Sequence, residues 1–329
     1  MRRALVVGIN DYEYCSKLYG CERDANQVAS ALSRNGDGSP NFAVRQITSD
    51  EGPIAAAELN QEISELFSAD ADVALLYFAG HGAIATNGSG WLVTSDGKTG
   101  ALGVSLIDLV QSANQAHQRI KSTIIILDSC HSGAAGDAPG LFAEDVASVG
   151  KGVIVLGASH KDGYANEKDG QDVFSSLLVE GLMGSASDIL GNITPASIYS
   201  LVDQTLGAWE QRPIFKANVQ SFVRLRTVPP KIPYETLRKL PIYFTNATSV
   251  YPLDPQYEPD RMNIPEEFRS LPVDPVKVAI FKELQGCNRH GLVVPVDVEN
   301  MYDAAIGSTG CRLTAIGVHY RRMAMESRF

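Results

Sequence analysis

The sequence has few of the features that mark secreted, membrane-spanning and disulfide-stabilised proteins. It contains only five cysteines in 329 residues, which is too few for a disulfide framework. No stretch approaches the roughly 18 apolar residues that a membrane span needs. The apolar run at the N-terminus is about five residues, against roughly 7–15 in a secretory signal. We therefore expect a soluble protein that stays in a reducing compartment, the cytoplasm.

Positive charge is also scarce. Lysine and arginine total 28, aspartate and glutamate total 38, and the formal net charge is −10. Non-specific binding to nucleic acid or to an anionic membrane needs a basic surface, so the charge argues against both partners. It suits a cationic substrate instead. Hydrophobic residues make up 44% of the chain, which allows a sizeable core.

What the sequence does contain is an alternation of apolar strands and amphipathic helices. Continuous β-branched runs such as RALVVGIN and KSTIIILDSC are typical of strands buried on both faces, as in parallel sheets. Strands are predicted at 3–10, 42–50, 72–82, 121–130, 150–160 and 221–228, and helices at 22–36, 53–68, 103–117, 172–183 and 195–209. The pattern predicts an α/β fold in which a mostly parallel, six-stranded sheet carries helices on both faces.

Composition divides the chain into three parts. Residues 1–228 hold the predicted α/β domain. Residues 229–275 carry most of the prolines, and proline favours extended segments, so this part is interpreted as a proline-rich linker or arm. Residues 276–329 show three short amphipathic segments, which predict a small, mainly helical module.

Two of the predicted strands end in reactive side chains. The third ends in Ala-Gly-His81-Gly82, and the fourth ends in Asp128-Ser-Cys130-His131. Reactive residues of α/β sheets gather beyond the carboxyl ends of strands, and parallel neighbours would place His81 beside Cys130. Free cysteine has a pKa of about 8.5, so a nucleophilic thiol needs a nearby imidazole. His131 is adjacent in sequence, but neighbouring side chains of an extended chain point apart.

Backbone groups at the same strand ends suit an oxyanion hole. The flanking glycines, Gly80 and Gly82, are expected to let the backbone turn and approach a substrate closely. The N–H groups of Gly82 and Cys130 would then hold the oxyanion. The alternative is that Cys130 is a buried structural thiol and His81 a turn histidine, although neither strand-end motif serves an evident packing purpose.

The paired motifs resemble a known enzyme family. YFAGHG lies 49 positions ahead of DSCHSG, counted from His81 to Cys130, and this pairing resembles the caspase–metacaspase group of cysteine peptidases, particularly the bacterial caspase-like proteins. The resemblance covers residues 2–228 and implies a three-layer sandwich. It implies an endopeptidase in which His81 is the acid–base and Cys130 the nucleophile of a thioester mechanism, with a role in bacterial defence or cell death. The rival interpretation is a non-catalytic scaffold that only binds partners.

The resemblance also implies a substrate preference. In metacaspases the aspartates at the positions of Asp24 and Asp128 line the pocket for the residue before the cleaved bond. Two carboxylates there would select Arg or Lys and repel Asp. An ordinary first-turn helix acid is the alternative for Asp24. The neighbouring Arg23 is expected to point elsewhere on the helix.

We predict no cofactor and no metal. Calcium-dependent metacaspases carry a cluster of acids near the catalytic loops, and this sequence departs from that pattern: the segment after His81 is nearly acid-free before Asp96, and the segment after Cys130 has Asp137, Glu144 and Asp145. A zinc site could be drawn from Cys287, His290, Cys311 and His319, but the second half has the wrong spacing, so core packing or surface placement is preferred.

Peptide or protein substrates are the expected partners, with a regulatory protein bound through 276–329. The terminal stretch GCRLTAIGVHYRRMAMESRF resembles part of a winged helix-turn-helix module. Residues 276–329 carry seven Lys and Arg against five Asp and Glu, a weak basic excess for a DNA reader. A partner-binding or autoinhibitory role is therefore preferred to DNA binding.

Overall fold

The computed structural model describes residues 1–85, 89–131, 149–158, 173–206, 213–219, 221–260, 262 and 264–329, without the side chains of Cys130 and His131. The chain divides into two compact units, Met1–Pro229 and Pro230–Phe329. Among the described helices, none has both the length and the apolar character that crossing a membrane requires.

The first unit is built on one large sheet. Its strands, with two short ones outside that sheet, are β1 (Arg2–Gly8), β2 (Ala43–Thr48), β3 (Ala71–Ile84), β4 (Gly90–Lys98), β5 (Ala101–Ser105), β6 (Ile120–His131), β7 (Val153–Gly157), β8 (Asn192–Ile193), β9 (Ile214–Ala217) and β10 (Arg226–Thr227). The main sheet runs β2-β1-β3-β6-β7-β9, with the hairpin β4–β5 attached to β3. All neighbours along β2-β1-β3-β6-β7 are parallel, whereas β9 is antiparallel to β7 and β4 is antiparallel to β3 and β5. This mostly parallel sheet confirms the predicted fold class.

Helices cover both faces of the sheet. They are α1 (Cys21–Ser33), α2 (Ala56–Ser68), α3 (Leu106–Gln115), α4 (Val173–Glu180) and α5 (Pro195–Thr205). Alternate residues of β3 point to opposite faces. Tyr77 packs in the core beneath α1, α4 and α5, whereas Phe78 packs in the core beneath α2 and α3. Burial on both faces explains why the central strands are continuous apolar runs rather than alternating ones.

The sixth strand lies elsewhere than predicted. Antiparallel pairing with β7 is made by β9, whereas 221–228 contributes only the short β10, paired with β8. Val223 and Leu225, two apolar residues of the predicted strand, are buried against the core beneath α1, α4 and α5. The segment that carries them lies outside the main sheet. The hairpin β4–β5 was not predicted, and it shortens the third predicted helix, which begins at Leu106 after the N-cap Ser105.

The second unit combines helices with a small sheet. It contains α6 (Tyr234–Tyr243), β11 (Val250–Tyr251), α7 (Pro275–Arg289), β12 (Val293–Pro295), α8 (Met301–Ile306), β13 (Cys311–Leu313) and α9 (Ala315–Met325), and its antiparallel sheet has the order β11-β13-β12. The structure differs here from the predicted linker 229–275, because residues 230–275 belong to this compact unit. Apolar side chains between the prolines, including Leu237, Leu240 and Phe244, are fully buried. The linker was predicted from proline content, which does not report the burial of the residues between the prolines.

Candidate active site

The carboxyl ends of β3 and β6 carry the two predicted reactive residues. The parallel register pairs His81 directly with Cys130, Gly82 with His131 and Ala79 with Asp128. This is the neighbouring arrangement that the sequence predicts. Since residues two apart along a strand share a face, Asp128 and Cys130 occupy alternate positions of β6 on the same face of the sheet.

The imidazole of His81 is held from a loop rather than from the sheet. Its side chain is 1% exposed. Nε2 lies 2.7 Å from the carbonyl oxygen of Ser16, which can only accept a hydrogen bond. Nε2 therefore carries a proton, and in the neutral form of the ring the lone pair is on Nδ1. Nδ1 is buried, and no described residue gives it a hydrogen-bond partner.

A second contact to His81 comes from Tyr12. The backbone N–H of His81 donates to the Tyr12 hydroxyl at 2.8 Å, and the two rings lie 4.6 Å apart at an angle of 49°. Sequence analysis identified neither Tyr12 nor Ser16. Both lie in the loop that follows β1, and a search of every strand's carboxyl end would have marked that loop as a candidate region.

The loop of residues 9–20 is anchored at both ends. The N–H groups of Asn10 and Asp11 donate to Ser49 Oγ at 2.9 and 3.1 Å. The side-chain oxygen of Asn10 accepts from the N–H of Cys21 at 3.1 Å, and the backbone carbonyl of Asn10 accepts from the N–H of Leu18 at 2.9 Å. These contacts hold the loop in position, so Tyr12 and Ser16 are presented to His81 at fixed points.

The backbone does not turn at the two glycines beside His81, contrary to the expectation. Strand β3 continues through both to Ile84, so the chain does not turn at Gly80 or Gly82. A Cβ at Gly80 would lie 2.6 Å from the Tyr12 hydroxyl oxygen, so glycine is needed there to admit that tyrosine. Gly82 is also paired with Leu92 of β4.

The two acids of the predicted pocket are both buried. Asp24 is 2% exposed on α1 and Asp128 is 3% exposed on β6. The Ser175 hydroxyl donates to Asp128 Oδ2, and the Tyr77 hydroxyl lies 2.6 Å from Ser175 Oγ and 3.4 Å from the same carboxylate oxygen. Burial raises the pKa of Tyr77 well above its usual value, and the negative charges of Asp128 and Asp24 raise it further. The charges of both carboxylates therefore raise the pKa of the same buried hydroxyl, that of Tyr77.

Arg23 does not point away as expected. Its Nε lies 3.7 Å from Asp24 Oδ1, although the Arg23 side chain is 44% exposed. An ion pair of this length with an exposed partner is weak. The first-turn position of Asp24 matches the alternative interpretation as a helix acid, but its burial is unlike that of a solvated surface residue.

The cysteines of the second unit pack in its core. Burial raises the pKa of both Cys287 and Cys311 to about 12, so both thiols are protonated at neutral pH. His319 is exposed on α9. Within the described ranges, no group of three or more His, Cys, Asp or Glu side chains is arranged to hold a metal ion. Cys287 and Cys311 therefore pack in the core, and His319 lies at the surface.

Comparison with known proteins agrees with this architecture. Residues 1–222 match the family model of the caspase domain. A solved protein of Geobacter sulfurreducens has a TM-score of 0.50 at 15% identity, with 69% of this chain and 98% of that chain covered. Caspase-1 from Spodoptera frugiperda has a TM-score of 0.47 at 13% identity, with 69% and 90% covered. At 15% identity, the likeness to the Geobacter sulfurreducens protein shows the fold alone. No curated protein matches the sequence.

Proposed function

This chain belongs to the caspase-domain family, and we propose that it is a cysteine endopeptidase that cleaves after Arg or Lys. The observation that carries the proposal is the register of His81 opposite Cys130, combined with the tautomer that Ser16 imposes on His81. A thiol and an imidazole lone pair at adjacent strand ends are the two groups that acyl transfer to sulfur requires.

In the proposed reaction, Nδ1 of His81 accepts the Cys130 thiol proton and the thiolate attacks the peptide carbonyl carbon. The N–H groups of Gly82 and Cys130 stabilise the oxyanion. The C–N bond breaks as His81 gives its proton to the leaving amine, which leaves a thioester on Cys130. Water then attacks the thioester, the new carboxyl terminus departs, and the thiol regains its proton.

Substrate selection is assigned to Asp24 and Asp128. Two buried carboxylates near one hydroxyl repel one another, so a cationic side chain between them would be stabilised and an acidic one excluded. Arg matches paired carboxylates through its planar fork, which Lys lacks. We therefore expect Arg to exceed Lys and both to exceed Asp. The net charge of −10 adds to the attraction of a basic peptide.

A fluorogenic peptide panel that varies only the residue before the cut tests both parts of the proposal. Wild type should cleave the Arg peptide, Cys130→Ala should not, and Asp128→Ala should lose most of the Arg preference. A profile selective for Asp would refute the pocket. Labelling with an irreversible peptidyl arginine ketone separates a peptidase from a scaffold, because a scaffold would not form the Cys130 adduct.

The wider role stays a proposal from family resemblance. Regulation in bacterial defence or cell death would need a control element, and residues 276–329 are the proposed site for a regulatory protein partner. The terminal stretch resembles part of a winged helix-turn-helix module, but the weak basic excess of residues 276–329 favours a protein partner over nucleic acid.

A further inference from the structure

Two buried hydroxyls beside the proposed pocket have no part in the reaction described above. Tyr77 on β3 and Ser175 on α4 are each 0% exposed. They come from elements 98 residues apart, yet their oxygens lie 2.6 Å from each other. Both contact Asp128 rather than His81. Their position therefore links them to substrate selection rather than to acyl transfer.

The direction of the hydrogen bonds follows from the acceptor at the end of the chain. An ionised carboxylate can only accept, so Ser175 donates to Asp128 Oδ2. Ser175 Oγ then accepts from the Tyr77 hydroxyl. Tyr77 remains a donor because burial and the nearby acids hold its pKa well above the usual value, which keeps the hydroxyl protonated.

The Tyr77 hydroxyl donates to Ser175, which donates to Asp128; this chain of hydrogen bonds is called the relay below. The relay offsets the free-energy cost of burying the Asp128 charge. Burying a carboxylate that is 3% exposed costs free energy because the charged group loses its water. Hydrogen bonds donated to the charged form have the opposite effect. Ser175 supplies such a bond, and Tyr77 polarises it. The same bonds restrict rotation of the carboxylate.

From this arrangement we infer that Ser175 and Tyr77 are specificity-determining positioning residues, which hold the Asp128 carboxylate in one orientation for a substrate guanidinium. The inference rests on the proposed preference for basic residues. A guanidinium binds a carboxylate through two parallel hydrogen bonds and needs a fixed carboxylate plane, whereas an ammonium acts as a point charge. Loss of the relay should therefore weaken Arg recognition more than Lys recognition.

The kinetic test compares Ser175→Ala and Tyr77→Phe with wild type on matched Arg and Lys peptides. Ser176→Ala is the control, since Ser176 is the next residue on α4 and is only half-buried. A hydrogen bond to a charged group corresponds to about a tenfold to hundredfold change, which we expect in KM for the Arg peptide after Ser175→Ala. The kcat should change little, the Lys peptide should lose less, and Tyr77→Phe should show a smaller shift of the same kind.

A binding test keeps this inference separate from the peptidase activity. Agmatine, which carries the guanidinium without a peptide bond, is titrated calorimetrically into full-length Cys130→Ala protein with and without Ser175→Ala. Weaker agmatine binding by about tenfold or more in the double variant supports the inference even if wild type cleaves no peptide. Cleavage after Arg with unchanged KM and unchanged Arg-to-Lys ratio in both hydroxyl variants overturns it and leaves the peptidase proposal intact.

Two further outcomes count against the inference. If agmatine does not bind to the Cys130→Ala protein, the pocket is not built for a guanidinium. If both Ser175→Ala and Tyr77→Phe lose the cooperative thermal unfolding transition of wild type, the relay is a structural part of the core. Retained unfolding transitions in both variants, with the kinetic and binding shifts above, support the assignment.

Discussion

Nε2 of His81 donates a hydrogen bond of 2.7 Å to the carbonyl oxygen of Ser16, although the two residues are 65 positions apart. A backbone carbonyl cannot ionise, so this contact orients the ring and selects its tautomer without adding a negative charge. It leaves Nδ1 as the nitrogen able to accept a proton, on a strand end whose register partner is Cys130.

Removing either member of the proposed pair should abolish turnover. Cys130→Ala removes the nucleophile, and His81→Ala removes a proton-transfer group that contributes about 10²–10⁴-fold to rate. Initial rates on an Arg peptide, with circular dichroism to show that the fold is retained, measure both effects. His319→Ala is the control, because His319 is exposed on α9 of the second unit, and its activity on the peptide should match wild type. Appreciable turnover by Cys130→Ala would show that the nucleophile is misassigned.

Tyr12→Phe should lower kcat while leaving KM nearly unchanged. The ring stays against the imidazole, but the N–H of His81 loses its acceptor, and a buried unsatisfied donor costs about 1–3 kcal/mol. We expect kcat to fall by about tenfold, which corresponds to ~1.4 kcal/mol. Steady-state kinetics on the Arg peptide measure the split between kcat and KM. Identical constants for Tyr12→Phe and wild type would mean that the hydroxyl does not position His81.

Gly80→Ala should reproduce the Tyr12 defect through a steric route. The new methyl group would lie 2.6 Å from the Tyr12 hydroxyl oxygen and 3.0 Å from the Phe78 ring. Overpacking of this kind costs about 1–3 kcal/mol, and the end of the tyrosine side chain is the group that must move. We therefore expect urea unfolding to give a lower free energy of unfolding, and steady-state kinetics to give a lower kcat.

Gly286→Ala on α7 is the matched control for that experiment. No atom lies within 4 Å of the position that the new methyl group would take, so no clash opposes the substitution. Alanine exceeds glycine in helix propensity by about 1 kcal/mol, and the free energy of unfolding should rise or stay constant. A Gly80→Ala protein as stable and active as wild type would contradict the assigned packing of Tyr12.

Self-processing within residues 134–150, which end just before Lys151, should not occur. Residues 134–150 contain no Lys or Arg, so an enzyme that requires a basic residue before the cut has no site there. Most of this segment lies outside the described residues. Intact mass spectrometry of the active protein beside Cys130→Ala should therefore show no fragment ending between 134 and 150. Such a fragment would contradict either the preference for a basic residue before the cut or the hypothesis that the catalytic domain works as one uncut chain.

A regulatory cut is predicted within 229–275 instead. Of the basic residues there, Lys239 pairs with Glu283 at 2.6 Å, Arg238 donates to the backbone oxygen of Phe329, and Arg269 donates to the carbonyl of Ile264. Lys231 is exposed and lies two residues after Pro229, where the first compact unit ends. Arg261 lies outside the described residues. Fragments ending at Lys231 with a rise in activity would support this route, and activation without any cut would favour control by a bound partner.

Local sequence patterns were sufficient to predict much of the first unit. Continuous apolar runs predicted the central strands because a strand buried on both faces needs no polar alternation. The positions of His81 and Cys130 after two such runs predicted neighbouring strand ends, and the register confirms that prediction. The same reasoning was wrong at 221–228, where alternate burial of Val223 and Leu225 arises from packing beneath helices rather than from pairing in the main sheet.

The residues that orient the site depended on tertiary structure alone. Ser16 meets His81 from 65 positions away, and Ser175 meets Asp128 from 47 positions away, each from an element with no motif of its own. Hydroxyl and carbonyl groups occur throughout any chain, so their type carries no signal until folding brings one to hydrogen-bond distance of a buried partner. The sequence by itself determined which strands form and which reactive groups end them. Only the packing of loop 9–20 and helix α4 onto those strand ends decided the tautomer of His81 and the partners of Asp128, because hydrogen bonding depends on distances that sequence spacing does not specify.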